Sequence, residues 1–67
     1  MEITLNNTKE VIQEESITVA DLIRIKNFTF KLLVTKVNGK LVKKDERDKV
    51  PINEGDDVIV LHLISGG

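Results

Sequence analysis

Val58-Ile59-Val60-Leu61-His62-Leu63-Ile64 is apolar at nearly every position, and Ser65-Gly66-Gly67 follows it. A strand in the middle of a sheet, buried on both faces, reads as this kind of unbroken apolar run. Its counterpart lies at the other end of the sequence, where Ile3 and Leu5 alternate with Glu2 and Thr4. That period of two marks a half-buried strand. The two stretches are expected to lie side by side and parallel at the sheet centre. Val58 and Val60 then face the core with Ile3 and Leu5, and Ile59, Leu61 and Leu63 point to the opposite face.

Between these strands the periodicity changes. Asn6-Asn7-Thr8 supplies turn-forming residues, and an extended run from Lys9 to Glu14 pairs back as a hairpin, with either Val11 or Ile12 facing the core. Thr18 and Asp21 form a Thr-x-x-Asp variant of the capping box, and Ile17 occupies the staple position before it. Val19, Leu22 and Ile23 make one helical apolar stripe. Arg24 and Lys26 suit the negative end of the helix dipole, and Asn27 ends the helix. From Leu32 the period returns to two, with Leu33, Thr35 and Val37 on one face of a third strand. Asn38-Gly39 is the strongest short signal for a type I′ turn, and Leu41 and Val42 make a short strand beyond it. Lys43 to Lys49 reads as a loop or short helical turn, Pro51 as a block to regular pairing, and Asn53-Glu54-Gly55-Asp56 as another turn.

The order strand, strand, helix, strand, short strand, strand makes an α+β sandwich. A mixed sheet of four to five strands packs on one helix over residues 1–64, and residues 65–67 form a flexible tail. A chain of 67 residues buries only about 60% of the surface it exposes when unfolded. It has no Cys, and Phe28 and Phe30 are its only aromatic residues, so the core must come from Ile, Leu and Val. A deep private cavity, and with it a self-contained active site of ordinary size, is disfavoured.

Ten basic and eleven acidic residues give a net charge of −1. Nucleic-acid binding needs a strong excess of Lys and Arg, which is missing here. No stretch is long and apolar enough to span a membrane, and Met1-Glu2-Ile3-Thr4-Leu5 lacks the basic and apolar regions of a signal peptide. The expected compartment is the cytoplasm.

The tail carries the chemistry. Two glycines without Cβ form the thinnest possible peptide and adopt backbone angles closed to other residues. A partner enzyme can draw Ser65-Gly66-Gly67 into a narrow channel and reach the terminal carbonyl of Gly67. A carboxylate is a poor electrophile. Attack on the α-phosphate of ATP would turn it into an acyl-adenylate, open to displacement by sulfur or nitrogen.

Taken together, these residues resemble the ThiS family, the sulfur carriers of thiazole (thiamine) biosynthesis, with the ubiquitin-like β-grasp fold. The resemblance covers essentially the whole length. It runs through Met1-Glu2-Ile3-Thr4-Leu5-Asn6, Thr18-Val19-Ala20-Asp21-Leu22 and Val37-Asn38-Gly39-Lys40-Leu41-Val42. Glu54-Gly55-Asp56-Asp57-Val58 and Leu63-Ile64-Ser65-Gly66-Gly67 are its most specific parts. The stretch from Arg24 to Lys31 departs from the family pattern, and Lys31 and Lys36 make that face more basic.

The resemblance implies that a ThiF-like adenylyltransferase activates Gly67 with Mg-ATP. A persulfide donor then supplies the sulfur of a terminal thiocarboxylate, and a ThiG-like thiazole synthase takes it. The chain itself is then a covalent co-substrate, not an enzyme, and binds no cofactor. Two alternatives remain: the small subunit of molybdopterin synthase, with the same fold and tail, and a ubiquitin-like modifier or interaction module.

Ile59, Leu61 and Leu63 form a candidate partner-docking patch, since apolar residues grouped on one exposed face mark such sites. Cover by a loop or self-association are the other readings. His62 is the only His and has no Ser, Cys or Asp constellation near it in sequence, so a structural role is expected. Asp56-Asp57 and Glu14-Glu15 lack the further ligands that a coordination shell needs. Lys43-Lys44-Asp45-Glu46-Arg47 mixes signs as a solvated loop does. The scattered glycines lack the spacing of a phosphate-cradling loop, so ATP is expected to bind the partner.

Overall fold

The alternation of Ile3 and Leu5 folds as a strand, and the asparagines after it close a hairpin. The computed structural model describes residues 1–28 and 32–62. Its strands are β1 (Glu2–Leu5), β2 (Thr8–Val11), β3 (Ile17–Thr18), β4 (Leu33–Val37), β5 (Lys40–Val42), β6 (Pro51–Ile52) and β7 (Asp57–His62). The helix α1 spans Val19–Ile25, and a 3₁₀ turn spans Lys44–Glu46.

Leu5 pairs with Thr8, so the first hairpin loop is Asn6-Asn7 alone, and Thr8 begins the second strand. Both asparagines have positive φ, 51° and 66°, as a type I′ connection requires. The second strand ends at Val11 instead of reaching Glu14. Ile12 is buried and Val11 is 67% exposed, which settles the core-facing residue. Asn38 and Gly39, at φ 52° and 82°, form the second type I′ turn, between β4 and β5.

The helix begins where the capping box places it. The Asp21 backbone N–H donates to Thr18 Oγ1 at 3.1 Å, and the Thr18 N–H donates back to Asp21 Oδ2 at 3.0 Å. The Thr18 backbone N–H, then the Thr18 hydroxyl and Arg24, hold the Asp21 carboxyl below its ordinary value of 3.8, against a small opposing effect of desolvation. Two further helix amides find carbonyls outside the helix, Val19 on Val50 at 3.0 Å and Ala20 on Arg47 at 2.8 Å. At the other end Asn27 takes a left-handed φ of 57°. Asn27 N–H donates to Arg24 O and Phe28 N–H to Ile23 O, at 3.1 and 2.9 Å. This is a Schellman closure with Asn in the position usually held by Gly.

Among the described residues the main sheet has five strands in the order β2-β1-β7-β4-β5. β1 and β7 are parallel, and the other neighbours are antiparallel. The first and last strands thus meet inside the sheet as expected, and the architecture is the β-grasp. α1 closes one face. Ile3, Val19, Leu22, Ile52 and Val58 are its fully buried aliphatic side chains, each contributing about 1.5–3 kcal/mol by burial.

Two expectations are corrected. Pro51 does not prevent pairing: β6 forms a two-residue antiparallel ladder with β3, with Thr18 opposite Pro51 and Ile17 opposite Ile52. Pro is tolerated at the first residue of a strand and at an edge, where no neighbour needs its missing N–H. Nor is the last strand buried on both faces. Leu61 is 50% exposed, because α1 covers only the side where Val58 and Val60 lie.

Candidate functional site

The start of β7 is pinned by the two turns that flank it. Asn38 Oδ1 accepts from the Asp57 N–H at 2.9 Å, and Asn38 Nδ2 donates to Asp56 Oδ1 at 3.1 Å. Asp56 Oδ2 accepts from the Asn53 N–H at 2.8 Å, closing the turn in which Gly55 has φ 81°. Both Glu54 carboxylate oxygens accept from the Glu2 N–H, at 3.0 and 3.1 Å. The motifs Val37–Lys40 and Glu54–Val58 are therefore one structural clasp, and the Asp56 carboxylate acts as a hydrogen-bond acceptor for the backbone. On the β1 side Asn6 N–H donates to Val58 O, and Val60 N–H donates to Asn6 Oδ1, at 2.9 and 2.8 Å.

With its register fixed, β7 alternates. Val58 and Val60 turn inward, and Ile59 and Leu61 turn outward, half-buried and exposed. Val34 lies opposite Leu61, and Lys36 lies opposite both Ile59 and Leu41. The outer face therefore groups Ile59, Leu61, Val34 and Leu41 around the Lys36 stem, with Leu41 60% exposed. Val34 and Leu41 extend the patch beyond the residues singled out in the sequence. The same alternation that put Leu33 and Thr35 inside places Val34 and Lys36 outside, so the signal was available.

Leu63, Ser65, Gly66 and Gly67 lie outside the described residues, as does Lys31. The tail and the third member of the docking patch are thus defined by sequence alone, continuing from the end of β7. His62 is exposed at that end and stands opposite Leu33. Among the described residues no three His, Cys, Asp or Glu side chains gather to hold a metal ion. No described helix is long and apolar enough to cross a membrane. A shallow groove of about 370 Å³ runs between Val11 of β2 and Ile25 of α1, bridged by the Lys26–Glu10 ion pair at 3.1 Å. It contains none of the expected site residues.

Known proteins share this arrangement. A crystal structure of a thiamine biosynthesis protein (ThiS) from Geobacter metallireducens superimposes with a TM-score of 0.89 at 23% identity, over 100% of both chains. At that identity the likeness shows the fold. A solution NMR structure of a thiamine biosynthesis protein from the same organism gives 0.81 at 25% identity, over 100% of this chain and 88% of the other. The sequence model of the ThiS family matches residues 1–67, from the first strand through the two terminal glycines. The chain therefore belongs to the ThiS family, the small sulfur carriers of thiamine biosynthesis.

Proposed function

We propose that this chain carries sulfur on the terminal carboxylate of Gly67 for construction of the thiamine thiazole. The observation that carries the reading is the family match through Gly66-Gly67, in a chain whose central strand β7 leads toward those glycines. A ThiF-like adenylyltransferase binds Mg-ATP and draws in Ser65-Gly66-Gly67. The Gly67 carboxylate attacks the α-phosphate, pyrophosphate leaves, and an acyl-adenylate forms. The outer sulfur of a persulfide donor attacks the acyl carbon and displaces AMP, giving an acyl disulfide; a second thiol then cleaves its S–S bond, forming a disulfide with the donor sulfur and leaving the thiocarboxylate on Gly67. A ThiG-like synthase then receives the sulfur. All of this takes place in the cytoplasm, and the chain is consumed and regenerated as a co-substrate.

The outer sheet face fits the docking role. Ile59 and Leu61, supported by Val34 and Leu41, offer an apolar surface that stability does not require to be exposed. Lys36 at its middle favours a partner surface with an acidic group opposite it.

The deciding experiment is mass spectrometry of the chain incubated with its adenylyltransferase, Mg-ATP and a persulfide donor. A sulfur-for-oxygen exchange at Gly67 is expected. A carboxylate that stays unchanged beside an active partner overturns the reading. Deletion of Gly66 and Gly67 should abolish loading; a chain that keeps its full activity without them is an interaction module instead.

A further inference from the structure

Arg47 sits in the mixed-charge loop, where the sequence offers no periodic signal for it, yet its guanidinium is turned inward. Nη2 donates to Leu33 O at 2.7 Å, and Nε lies 3.4 Å from Thr35 Oγ1. Thr35 is fully buried and donates in turn to Val42 O at 2.8 Å.

The directions of the backbone groups explain why Leu33 needs such a partner. Val58 O and Val60 N–H are engaged on the β1 side, and Asp57 O accepts from the Asn38 N–H on the β4 side. Successive residues of a strand point to opposite neighbours. Ile59 and Leu61 therefore turn their amides and carbonyls to β4, and on β4 it is Val34 and Lys36 that answer them. Leu33, Thr35 and Val37 face β5 instead. β5 supplies partners for Val37 and Thr35, through Lys40 and Val42, and then ends. The chain leaves into the 3₁₀ turn at Lys44–Glu46, so among the described residues no strand stands beside Leu33 on the β5 side.

We propose that Arg47 is a positioning residue for sulfur loading. Its guanidinium takes the place of the missing strand beside Leu33 and so holds the rungs on which β7 presents Leu61 and His62. Those rungs are Val34–Leu61 and Leu33–His62, the last described pairs before the sequence continues to Gly67. The rigid planar fork of Arg suits two acceptors at once, and a Lys ammonium does not reproduce it. Without the fork, β4 frays from Leu33, the outward Val34–Leu61 pair loosens, and the end of β7 at His62 loses its support.

The consequence for loading rests on the reading of Gly67 as the loaded group; the structural part does not. Residue-resolved amide hydrogen exchange on the full chain separates the two, comparing wild type with Arg47→Met and Arg47→Lys. In Arg47→Met the Val34 and Leu61 amides should exchange about tenfold faster or more, while the Ile3 and Leu5 amides in the β1–β2 ladder change by less than about twofold. Arg47→Lys should fall between Arg47→Met and wild type, and it serves the same comparison should Arg47→Met fail to fold. In loading assays KM for the carrier should rise about fivefold or more, with kcat within about twofold, the pattern of lost binding shared by ground and transition states. Unchanged exchange at Val34 and Leu61 in both variants overturns the proposal, as does acceleration spread evenly over the sheet. If wild type itself takes up no sulfur, the functional reading falls, and the exchange result still decides what Arg47 holds.

Discussion

The two faces of β7 are made from one alternating stretch and have opposite fates. On the inner face Val58 and Val60 are buried beneath α1 with Ile3, Leu5 and Leu22. On the outer face Leu61 is half exposed, next to Val34, and Ile59 sits over the Lys36 stem. Both faces are comparably apolar, so composition alone does not tell them apart. What separates them is the number of layers the chain can build. One short helix covers one side of a sheet, and the residues on the other side are left uncovered. The inner face should therefore govern folding, and the outer face recognition.

Substitutions can test that division. The largest expected effect is Leu22→Ala on the inner side, which removes a fully buried side chain and should destabilise the fold by about 2–5 kcal/mol. For a domain of this size the thermal midpoint should fall on the order of 10 °C or more. Sulfur loading per folded molecule should stay as in wild type; a loss of partner affinity in the folded fraction would break the division. Next comes Leu61→Asp on the outer side. Partner binding measured by calorimetry should weaken about tenfold or more, equivalent to about 1.4 kcal/mol, while stability shifts by no more than about 0.5 kcal/mol. A large drop in stability with binding intact would show that the outer face is structural after all.

The smallest effect belongs to Asp21→Asn at the helix start, in the capping box. The Asp21 carboxyl is held below its ordinary 3.8, first by the Thr18 backbone N–H. A depressed carboxyl stabilises the fold above its unfolded value, and that contribution is lost as pH falls through the lower folded value. Thermal unfolding of wild type and Asp21→Asn should differ at neutral pH and converge in strongly acidic solution. A constant gap across the acidic range would mean that the charge of Asp21 plays no part in the cap.

Much of this was legible in the sequence because the signals are local. Thr18 and Asp21 announce the helix through residues three apart, and Asn38-Gly39 announces its hairpin through backbone angles that few other pairs adopt. The parallel pairing of β1 and β7 followed from their apolar patterns and the chain order. Two kinds of feature escaped. The β3–β6 ladder is two residues on each side, too short for any period to show. Arg47 reads as one more charge in a polar loop, and its partners Leu33 and Thr35 are set by where β5 stops, which no window around Arg47 contains. Val11 and Ile12 were ambiguous for a related reason. The hairpin register that decides between them depends on whether the loop is Asn6-Asn7 or one residue longer. The outer face divides in the same way: alternation alone turns Ile59, Leu61 and Val34 outward, but that Val34 and Leu41 stand beside Ile59 and Leu61 needed the register of β4 against β5 and β7.

The placement of β7 between β1 and β4 has an implication for how such a chain is made. Synthesis proceeds from the N-terminus, and until residue 62 is available the sheet lacks its middle member. The β1–β2 and β4–β5 hairpins can close early, but neither can join the other, because their only link is a strand still to come. Pairings so distant in sequence form late in folding. Arrival of that strand joins the two hairpins and brings Val58 and Val60 into the core in one step.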